Sequence, residues 1–390
     1  MSRSSFNAGR HAAGLSLIEM MIAMVISLIL MLGVVQIFMA SRAASRLSEG
    51  AARTQENARF ALDFLERDIR MAGHMGCVND QAHVIKDGDS IKVHVAGITS
   101  GDGSPLDFSV PIQGYEADGT APGDALTIGG TWAAAGSTPD GISGLSPAPI
   151  GGSDILVMRY LAAEGSPVLN IVNDTDSTVT IASDAAARLS AGAATTPSVF
   201  AVSDCSRVDI FSGTLDGNTI TANATSLVNY ASNNAVTMVY RAESLVYYVA
   251  MNTANEPSLY RARANGDGEF EQGEEMVEGI ESLQFVYGLD AESAISSSAP
   301  PTGVIDVQRV ASEVSTAADA TAVAEWRRVG MVQLGILVRS PQPASAEQAN
   351  VDVAQLGVLG VAFNPPQTND RRYRASYEVS VALRNRLFGN

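Results

Sequence analysis

Closely spaced acidic side chains form the best candidate for a metal site in this chain. Asp267 and Glu269 lie in the glycine-rich segment 265–269, and four more glutamates follow up to Glu278. Oxygen ligands at short spacing suit Ca²⁺, although the spacing here differs from that of an EF-hand. Glycine-rich acidic segments are also common at hairpin tips. A turn is therefore the favoured interpretation, with Asp267 and Glu269 kept as weak Ca²⁺ candidates, and no metal or other cofactor is expected.

The two cysteines, Cys77 and Cys205, are far apart in the chain and belong to no Cys-x-x-Cys pair. No cluster of histidines accompanies them, which excludes zinc-binding and thioredoxin-like interpretations. In an exported domain a disulfide between them is expected, and two unpaired buried thiols are the alternative.

Motifs of catalysis and of nucleotide binding are missing from the sequence. It contains no Gly-x-Ser-x-Gly, His-Glu-x-x-His, P-loop or Gly-x-Gly-x-x-Gly. His74, His83 and His94 have no metal-ligand spacing, so solvated or packed histidines are expected. The formal net charge of −17 argues against nucleic acid as a partner, because an acidic surface repels phosphate backbones. These observations favour a structural protein over an enzyme.

A long uncharged segment lies near the N-terminus. Residues 1–14 carry Arg3 and Arg10 and no acidic side chain, and residues 20–41 carry no charge. At about 1.5 Å per residue this run can cross a bilayer core of roughly 30 Å. The basic flank is expected to stay in the cytoplasm, which places the rest of the chain on the other side of the membrane.

Glu19 lies at the edge of this apolar run and helps to distinguish between the possible functions of the N-terminal segment. A secretory signal has a shorter core, of about 7–15 residues, and a cleavage site after it, for which 43–45 is a weak match. A plain membrane anchor fits the length but leaves the carboxylate unexplained. A charged group costs about 2.5–3.5 kcal/mol or more at the bilayer centre unless it is paired, so a functional role is the default expectation.

The segment Gly14-Leu15-Ser16-Leu17-Ile18-Glu19 resembles the processing site of type IV prepilins. The resemblance implies that a prepilin peptidase cuts between Gly14 and Leu15 and methylates the new amino group of Leu15. It also implies that Glu19 pairs with the Leu15 amine of a neighbouring subunit and so sets the register of assembly. Leu15 departs from the commoner Phe at this position.

The helix is expected to continue beyond the membrane with a single apolar stripe. The stripe consists of Leu47, Ala51, Thr54, Ala58, Ala61, Leu65, Ile69 and Ala72, widened by Phe60, Leu62 and Phe64. Three pairs at i,i+4 with the acid first are expected on the exposed faces, namely Glu49–Arg53, Asp63–Arg67 and Glu66–Arg70. Gly73 and Gly76 are expected to end the helix.

Several stretches resemble the PilW-like minor pilins, a group in which a cysteine follows the helix end as Cys77 does here. They are residues 55–61, 68–73, 76–77, 204–211, 277–288, 326–329 and 381–386. From about residue 79 onward, short alternating runs predict strands. These strands are 91–95, 154–161, 178–182, 208–211, 236–241, 245–250, 258–262, 282–287, 329–339 and 375–383. The stretches 133–153 and 291–325 are predicted to be loops or insertions.

The predicted fold is therefore α+β and pilin-like, with a long N-terminal helix packed on an antiparallel β-sheet-rich periplasmic domain. Its predicted parts are a basic leader (1–14), a transmembrane half of the helix (15–41), an amphipathic half (42–76) and the head (77–390). The chain is expected in the inner membrane as a single pass and then in the extracellular pilus fibre.

The resemblance implies a non-catalytic minor pilin that primes type IV pilus assembly in a minor-pilin or tip complex. The implied partners are prepilin peptidase, other minor pilins, the major pilin and the inner-membrane assembly platform, with a tip adhesin left open. Two alternatives remain. One is a J-type pseudopilin of type II secretion, and the other, from a different class, is a membrane-tethered periplasmic binding module.

Overall fold

The computed structural model describes residues 16–78, 91–136, 140–191, 196–230, 236–293, 295, 299–317, 319–344, 356–364 and 370–385. Its helices are α1 (Leu17–Met71), α2 (Ala185–Ser190), α3 (Ala311–Val314) and α4 (Ala320–Trp326), with a 3₁₀ turn at Asp140–Ile142. The strands before the longest one are β1 (Ile91–Val93), β2 (Ile112–Tyr115), β3 (Ala125–Thr127), β4 (Ile155–Leu161), β5 (Ser166–Val172), β6 (Thr178–Ile181), β7 (Val199–Asp204), β8 (Arg207–Asp216) and β9 (Thr219–Ala222). The others are β10 (Met238–Met251), β11 (Pro257–Arg263), β12 (Glu274–Glu278), β13 (Ile280–Asp290), β14 (Ile305–Arg309), β15 (Val329–Arg339), β16 (Gly357–Val358), β17 (Val361–Asn364) and β18 (Arg374–Ala382).

Helix α1 runs unbroken for 55 residues, which is about 82 Å. It contains no proline, and Gly73 follows its end with a φ of 76°. A positive φ suits glycine because it has no Cβ, so the predicted stop signal is confirmed.

The amphipathic half of α1 differs from the prediction in three details. Its buried stripe begins at Gly50, whereas Leu47 and Phe60 are about half exposed. The reason is that α1 meets the head only from Gly50 onward, and Phe60 points to the opposite side. The pairs Glu49–Arg53 and Glu66–Arg70 form at 3.0 and 2.6 Å, but Asp63 approaches Arg59 instead of Arg67, at 3.9 Å.

Six strands of the head close into a ring in the order β5-β6-β9-β8-β7-β10. The ring closes because the start of β10 pairs with β5 on one side and β7 on the other. Its interior is filled by aliphatic and aromatic side chains, among them Phe200, Phe211 and Val239, and α2 packs against this cluster through Ala185 and Leu189.

Strand β10 leaves the ring and continues into a second layer, where it pairs with β4 and β11. β2 and β12 extend this layer at its two sides. A separate antiparallel sheet has the order β14-β13-β15-β18, and a small sheet has the order β16-β17-β3. Most pairs are antiparallel, and β1–β8 and β3–β17 are parallel.

The main core lies between α1 and these sheets. Helix α1 contacts β18, β15, β12 and β4, and its side chains share a cluster with Leu283, Phe285, Leu334 and Ile336. The α+β, pilin-like organisation predicted from the sequence is therefore confirmed.

Every predicted strand overlaps an observed one, but one predicted division between strands and one predicted loop were wrong. The strands predicted at 236–241 and 245–250 are parts of the single 14-residue strand β10. The stretch 291–325, predicted as loop, contains β14, α3 and α4. These helices are four and seven residues long, too short for their periodicity to stand out in the sequence.

Candidate functional site: the N-terminal helix and its junction with the head

The start of α1 is stabilised by a reciprocal capping box. The Ser16 side chain accepts a hydrogen bond from the Ile18 backbone amide at 3.3 Å, and Glu19 Oε2 accepts one from the Ser16 amide at 3.1 Å. The carboxylate at position 19 therefore has a partner within its own helix. Gly14 and Leu15, the predicted cleavage residues, lie outside the described residues.

The apolar half of α1 packs against no other part of the described chain. Its large hydrophobic side chains from Leu17 to Met39 are between 44 and 79 % exposed. By length and composition, α1 is the one described helix apolar enough to cross a membrane. So much exposed apolar surface indicates a segment that is buried in lipid or against other subunits.

The second half of α1 is held against the sheet by small and aliphatic residues. Ala58, Ala61, Leu65 and Ile69 are at most 1 % exposed. The close approach begins at Gly50, where a Cβ would lie 2.6 Å from the Cβ of Ala344. Small residues along this stripe let the helix backbone lie close to the head.

Polar contacts fix the rotation of the helix on the sheet. Tyr247 donates a hydrogen bond to Asp68 Oδ2 at 2.6 Å, and Asn57 Nδ2 donates one to the Glu278 carbonyl at 2.9 Å. Burial raises the pKa of Asp68 above its usual value, while the Tyr247 hydrogen bond and the Arg261 charge oppose the rise. A buried carboxyl held by a specific donor allows only one orientation of this turn of α1.

The end of α1 is capped by the far end of the chain. Asn385 Nδ2 donates to the carbonyls of Arg70, Met71 and Ala72 at 3.2–3.4 Å. These carbonyls have no partner inside the helix, so the side chain supplies one. The segment matched to PilW-like pilins at 381–386 therefore contributes a helix cap.

The residues after α1 pass directly into the head. The Gly73 amide donates to the Arg159 carbonyl at 3.0 Å, and the His74 carbonyl accepts from the Leu161 amide at 2.7 Å. Burial lowers the pKa of His74. His74 is therefore a partly buried histidine, and its ring contacts that of Tyr240 edge to face.

A disulfide joins Cys77 to Cys205, with a Cα–Cα distance of 4.6 Å. Cys205 lies in the two-residue turn between β7 and β8. Asp204 and Arg207, on either side of the turn, are opposite each other in the antiparallel register of the two strands. The turn itself is held by Asp204, whose Oδ1 accepts from the Ser206 amide at 2.7 Å. The bond therefore ties the end of α1 to the six-stranded ring.

The Ca²⁺ candidates Asp267 and Glu269 form a local turn. Asn265 Oδ1 accepts hydrogen bonds from the amides of both residues at 3.0 Å, and Gly268 has a φ of 83°. Among the residues that the structure describes, no three His, Cys, Asp or Glu side chains are grouped closely enough to hold a metal. These hydrogen bonds define a turn at residues 265–269, as the favoured interpretation of the sequence predicts, and they involve the backbone amides of Asp267 and Glu269.

Two contacts at the junction escaped the sequence reasoning, namely the cap from Asn385 and the anchor from Asn57. Each residue lies in a stretch that resembles PilW-like pilins, but its partner is more than 200 residues away. Of the two, only Asn57 could have been suspected from the sequence, because it is a polar residue next to the apolar stripe of α1.

A long apolar helix followed by a β-sheet-rich head, with the helix end locked into the head, is the organisation of a pilin. Residues 246–385 match the family model of PilW, described as type IV pilus-assembly protein W, and residues 9–35 match the prokaryotic N-terminal methylation motif. The two matches support a type IV pilus-related pilin and are consistent with the PilW type. No curated protein and no solved structure gives a significant match.

The matched region begins within β10 and ends at Asn385, so it includes the sheet on which α1 lies and the residue that caps α1. The first five strands of the ring in chain order lie before this region. The family match therefore covers the helix-binding part of the head, and the ring is mostly outside it.

Proposed function

We propose that this protein is a minor pilin that primes type IV pilus assembly and joins a minor-pilin complex at the pilus tip. Its role is structural and not catalytic. The observation that carries the proposal is the division of α1 into an exposed apolar half and a half packed against the head. An exposed apolar helix rigidly attached to a folded head can exchange lipid for the apolar helices of other subunits.

The proposed parts are the leader 1–14, the transmembrane half 15–41, the amphipathic half 42–76 and the head 77–390. Prepilin peptidase removes the leader between Gly14 and Leu15 and methylates the Leu15 amine. The methylation-motif match to residues 9–35 supports this step. Before assembly the chain sits in the inner membrane with its head in the periplasm, and afterwards it belongs to the pilus fibre.

Glu19 is proposed to set the register between subunits by pairing with the Leu15 amine of a neighbour. Opposite charges attract strongly where water is excluded, so a pair inside the helix bundle favours one axial position. The exposure of Glu19 at the tip of α1 supports this role, because a neighbouring subunit can reach the carboxylate.

Mature protein purified from cells that contain prepilin peptidase tests the proposal. We expect the N-terminus to be N-methylated Leu15 and the protein to co-purify with other minor pilins. An intact Met1, or a cut near residue 44, would favour a membrane-tethered module or a secreted protein. Correct processing with recovery in a type II secretion complex, and none with pili, would favour the J-type pseudopilin.

A further inference from the structure

Two arginines follow the apolar segment of α1 directly in the sequence. The uncharged run ends at Ser41, and Arg42 and Arg46 follow one helical turn apart, in line with the buried Gly50 and Thr54. The guanidinium of Arg42 stacks over the Phe38 ring, with its Cζ 5.0 Å from the ring centroid. This contact turns the charge back towards the apolar segment, where lipid headgroups would lie if residues 15–41 span a membrane.

The head adds a third arginine close to Gly50 of α1. Arg371 is exposed and has a φ of 56°, an unfavourable conformation for a residue with a side chain. Its carbonyl accepts a hydrogen bond from the Ala344 amide at 2.8 Å, and Ala344 lies against Gly50. Gly50 is about 13 Å along the helix from Ser41, so Arg371 belongs to the part of the head nearest the apolar segment.

The charges of these three arginines are not neutralised within the described chain. No described carboxylate lies within salt-bridge distance of Arg42, Arg46 or Arg371, and Glu49, the nearest acid in sequence, is bound by Arg53 at 3.0 Å.

By contrast, three described arginines of the head near Arg371 are paired. Arg339, Arg372 and Arg374 form ion pairs with the buried or half-buried acids Glu256, Glu281 and Asp370. In a chain of net charge −17, three arginines without an acidic partner among the described residues, two on α1 and one on the adjoining part of the head, are available to bind an anionic partner.

We propose that Arg42, Arg46 and Arg371 form a binding site for phosphate groups of anionic phospholipids in the leaflet that faces the head. The inference rests on the proposed function, in that residues 15–41 span a membrane with the head outside. Lipid is favoured over an acidic protein because Arg42 and Arg46 lie where the apolar run ends, at the level of the headgroups. The site would hold the subunit at a defined depth until assembly withdraws it.

The site also bears on the charge balance across the membrane. Removal of residues 1–14 takes away Arg3 and Arg10, so the basic residues that flank the span in the mature chain are those on the head side. The positive charge that orients insertion would then be absent during extraction.

The test uses the full chain reconstituted into vesicles of phosphatidylcholine with a minor fraction of phosphatidylglycerol. Flotation first reports whether the chain inserts. Proteoliposomes are then dissolved in mild detergent, and mass spectrometry measures the ratio of the two lipids that remain bound. We expect the wild type to enrich phosphatidylglycerol several-fold, because each arginine near the surface contributes up to about a fivefold preference.

The double variant Arg42→Gln/Arg46→Gln is expected to float like the wild type but to lose most of the phosphatidylglycerol enrichment. Arg371→Gln is expected to lose part of the enrichment. The matched control Arg59→Gln/Arg67→Gln removes two exposed arginines of the same helix, farther from the membrane, and is expected to keep it.

Three outcomes would overturn the lipid site while leaving the membrane anchor in place. Equal enrichment in the wild type and the double variant would show that the arginines do not bind the lipid. Displacement of phosphatidylglycerol by excess inorganic phosphate would indicate a site for soluble phosphate. Floating wild type without enrichment would leave these arginines to an acidic protein partner. A wild type that fails to float would instead overturn the membrane anchor itself, and the lipid site with it.

Discussion

At the scale of single residues, the Glu19 carboxylate can serve as a helix cap and as a charge that pairs with a neighbouring subunit. In the isolated subunit its carboxylate accepts a hydrogen bond from the Ser16 amide and closes the capping box of α1. In an assembled fibre it is proposed to pair with the Leu15 amine of a neighbour. Capping needs an oxygen acceptor, whereas register needs a negative charge, so the two roles respond differently to substitution.

Glu19→Gln keeps the acceptor and removes the charge, and Glu19→Ala removes both. If the charge sets the register, we expect both variants to insert in the membrane and to reduce pilus number strongly. Loss of the cap alone costs only about 1 kcal/mol and would affect the first turn of α1. Pilus counts by electron microscopy and membrane fractionation give the readouts. Normal pilus numbers in Glu19→Gln would assign the residue to capping.

The disulfide between Cys77 and Cys205 is a second stabilising contact between single residues. It joins positions that are 128 residues apart in the chain. The chain-entropy model gives roughly 4–5 kcal/mol for a loop of this length. We expect Cys77→Ser/Cys205→Ser to lower the free energy of unfolding by an amount of this order. Guanidinium unfolding of the full chain in detergent micelles, followed by tryptophan fluorescence, measures it. The reduced wild type should unfold at the same denaturant concentration as the variant, and an unchanged midpoint in both would contradict the prediction.

At the scale of elements, the two halves of the single helix α1 differ in the surface that they present. Its first half presents apolar side chains in all directions, and its second half presents a narrow stripe of small and aliphatic residues to the sheet. Gly50 marks the boundary, since the head approaches the helix backbone there. The helix end is then fixed by three devices, which are the Asn385 cap, the hydrogen bonds of residues 73–75 and the disulfide.

Substitutions of Leu65 and Phe60 distinguish the packing of α1 on the head from contacts that α1 makes with other subunits. Leu65 is fully buried, so Leu65→Ala is expected to cost about 2–5 kcal/mol of unfolding free energy. Phe60 is 49 % exposed, so Phe60→Ala should cost much less in the isolated subunit. If the exposed ring contacts another subunit, Phe60→Ala should reduce pilus number at normal stability. Denaturant unfolding and pilus counts on both variants check the pair, and equal losses of stability would refute the observed orientation of α1.

At the scale of the whole molecule, two buried carboxyls connect the layers of the head. Asp154, ahead of β4, accepts hydrogen bonds from the amides of Ala117 and Phe285 at 3.0 and 3.1 Å, and Thr120 Oγ1 lies 3.1 Å from it. Glu116 accepts one from the Ala311 amide at 3.2 Å. Burial raises the pKa of Glu116 to about 9, with a further contribution from the Asp154 charge, and raises the pKa of Asp154 to about 7.

These raised pKa values predict a head that loses stability at alkaline pH. The folded state holds protons that the unfolded chain releases near pH 4, so the stabilisation is complete below that pH and falls as the pH rises through 7 to 9. We expect the unfolding midpoint in denaturant to decrease between pH 5 and pH 9. Glu116→Gln imitates the protonated group and should flatten this decrease, whereas a Glu269→Gln control on the exposed turn should leave it unchanged. The same slope in Glu116→Gln and in the wild type would contradict the assignment.

Features that depend on neighbours along the chain could be predicted from the sequence. The run 20–41, the helix stop at Gly73 and the strands with alternating residues are local patterns, because helix and strand periodicities are set by a few consecutive residues. The position of Cys77 after the helix end made a clamp plausible in the same way. These features determined the fold class, and the resemblance of residues 14–19 to a prepilin processing site indicated the kind of protein.

Tertiary structure alone decided which distant residues meet. The closure of the six-stranded ring by β10, the cap from Asn385 and the approach of Ala344 to Gly50 join segments separated by up to 315 residues. The pairing of Arg372 and Arg374 with buried acids, beside an exposed Arg371, likewise has no trace in a sequence where all three arginines are adjacent or nearly so. Hydrophobic periodicity shows that a face is buried, but the partner of that face depends on the packing of the whole chain.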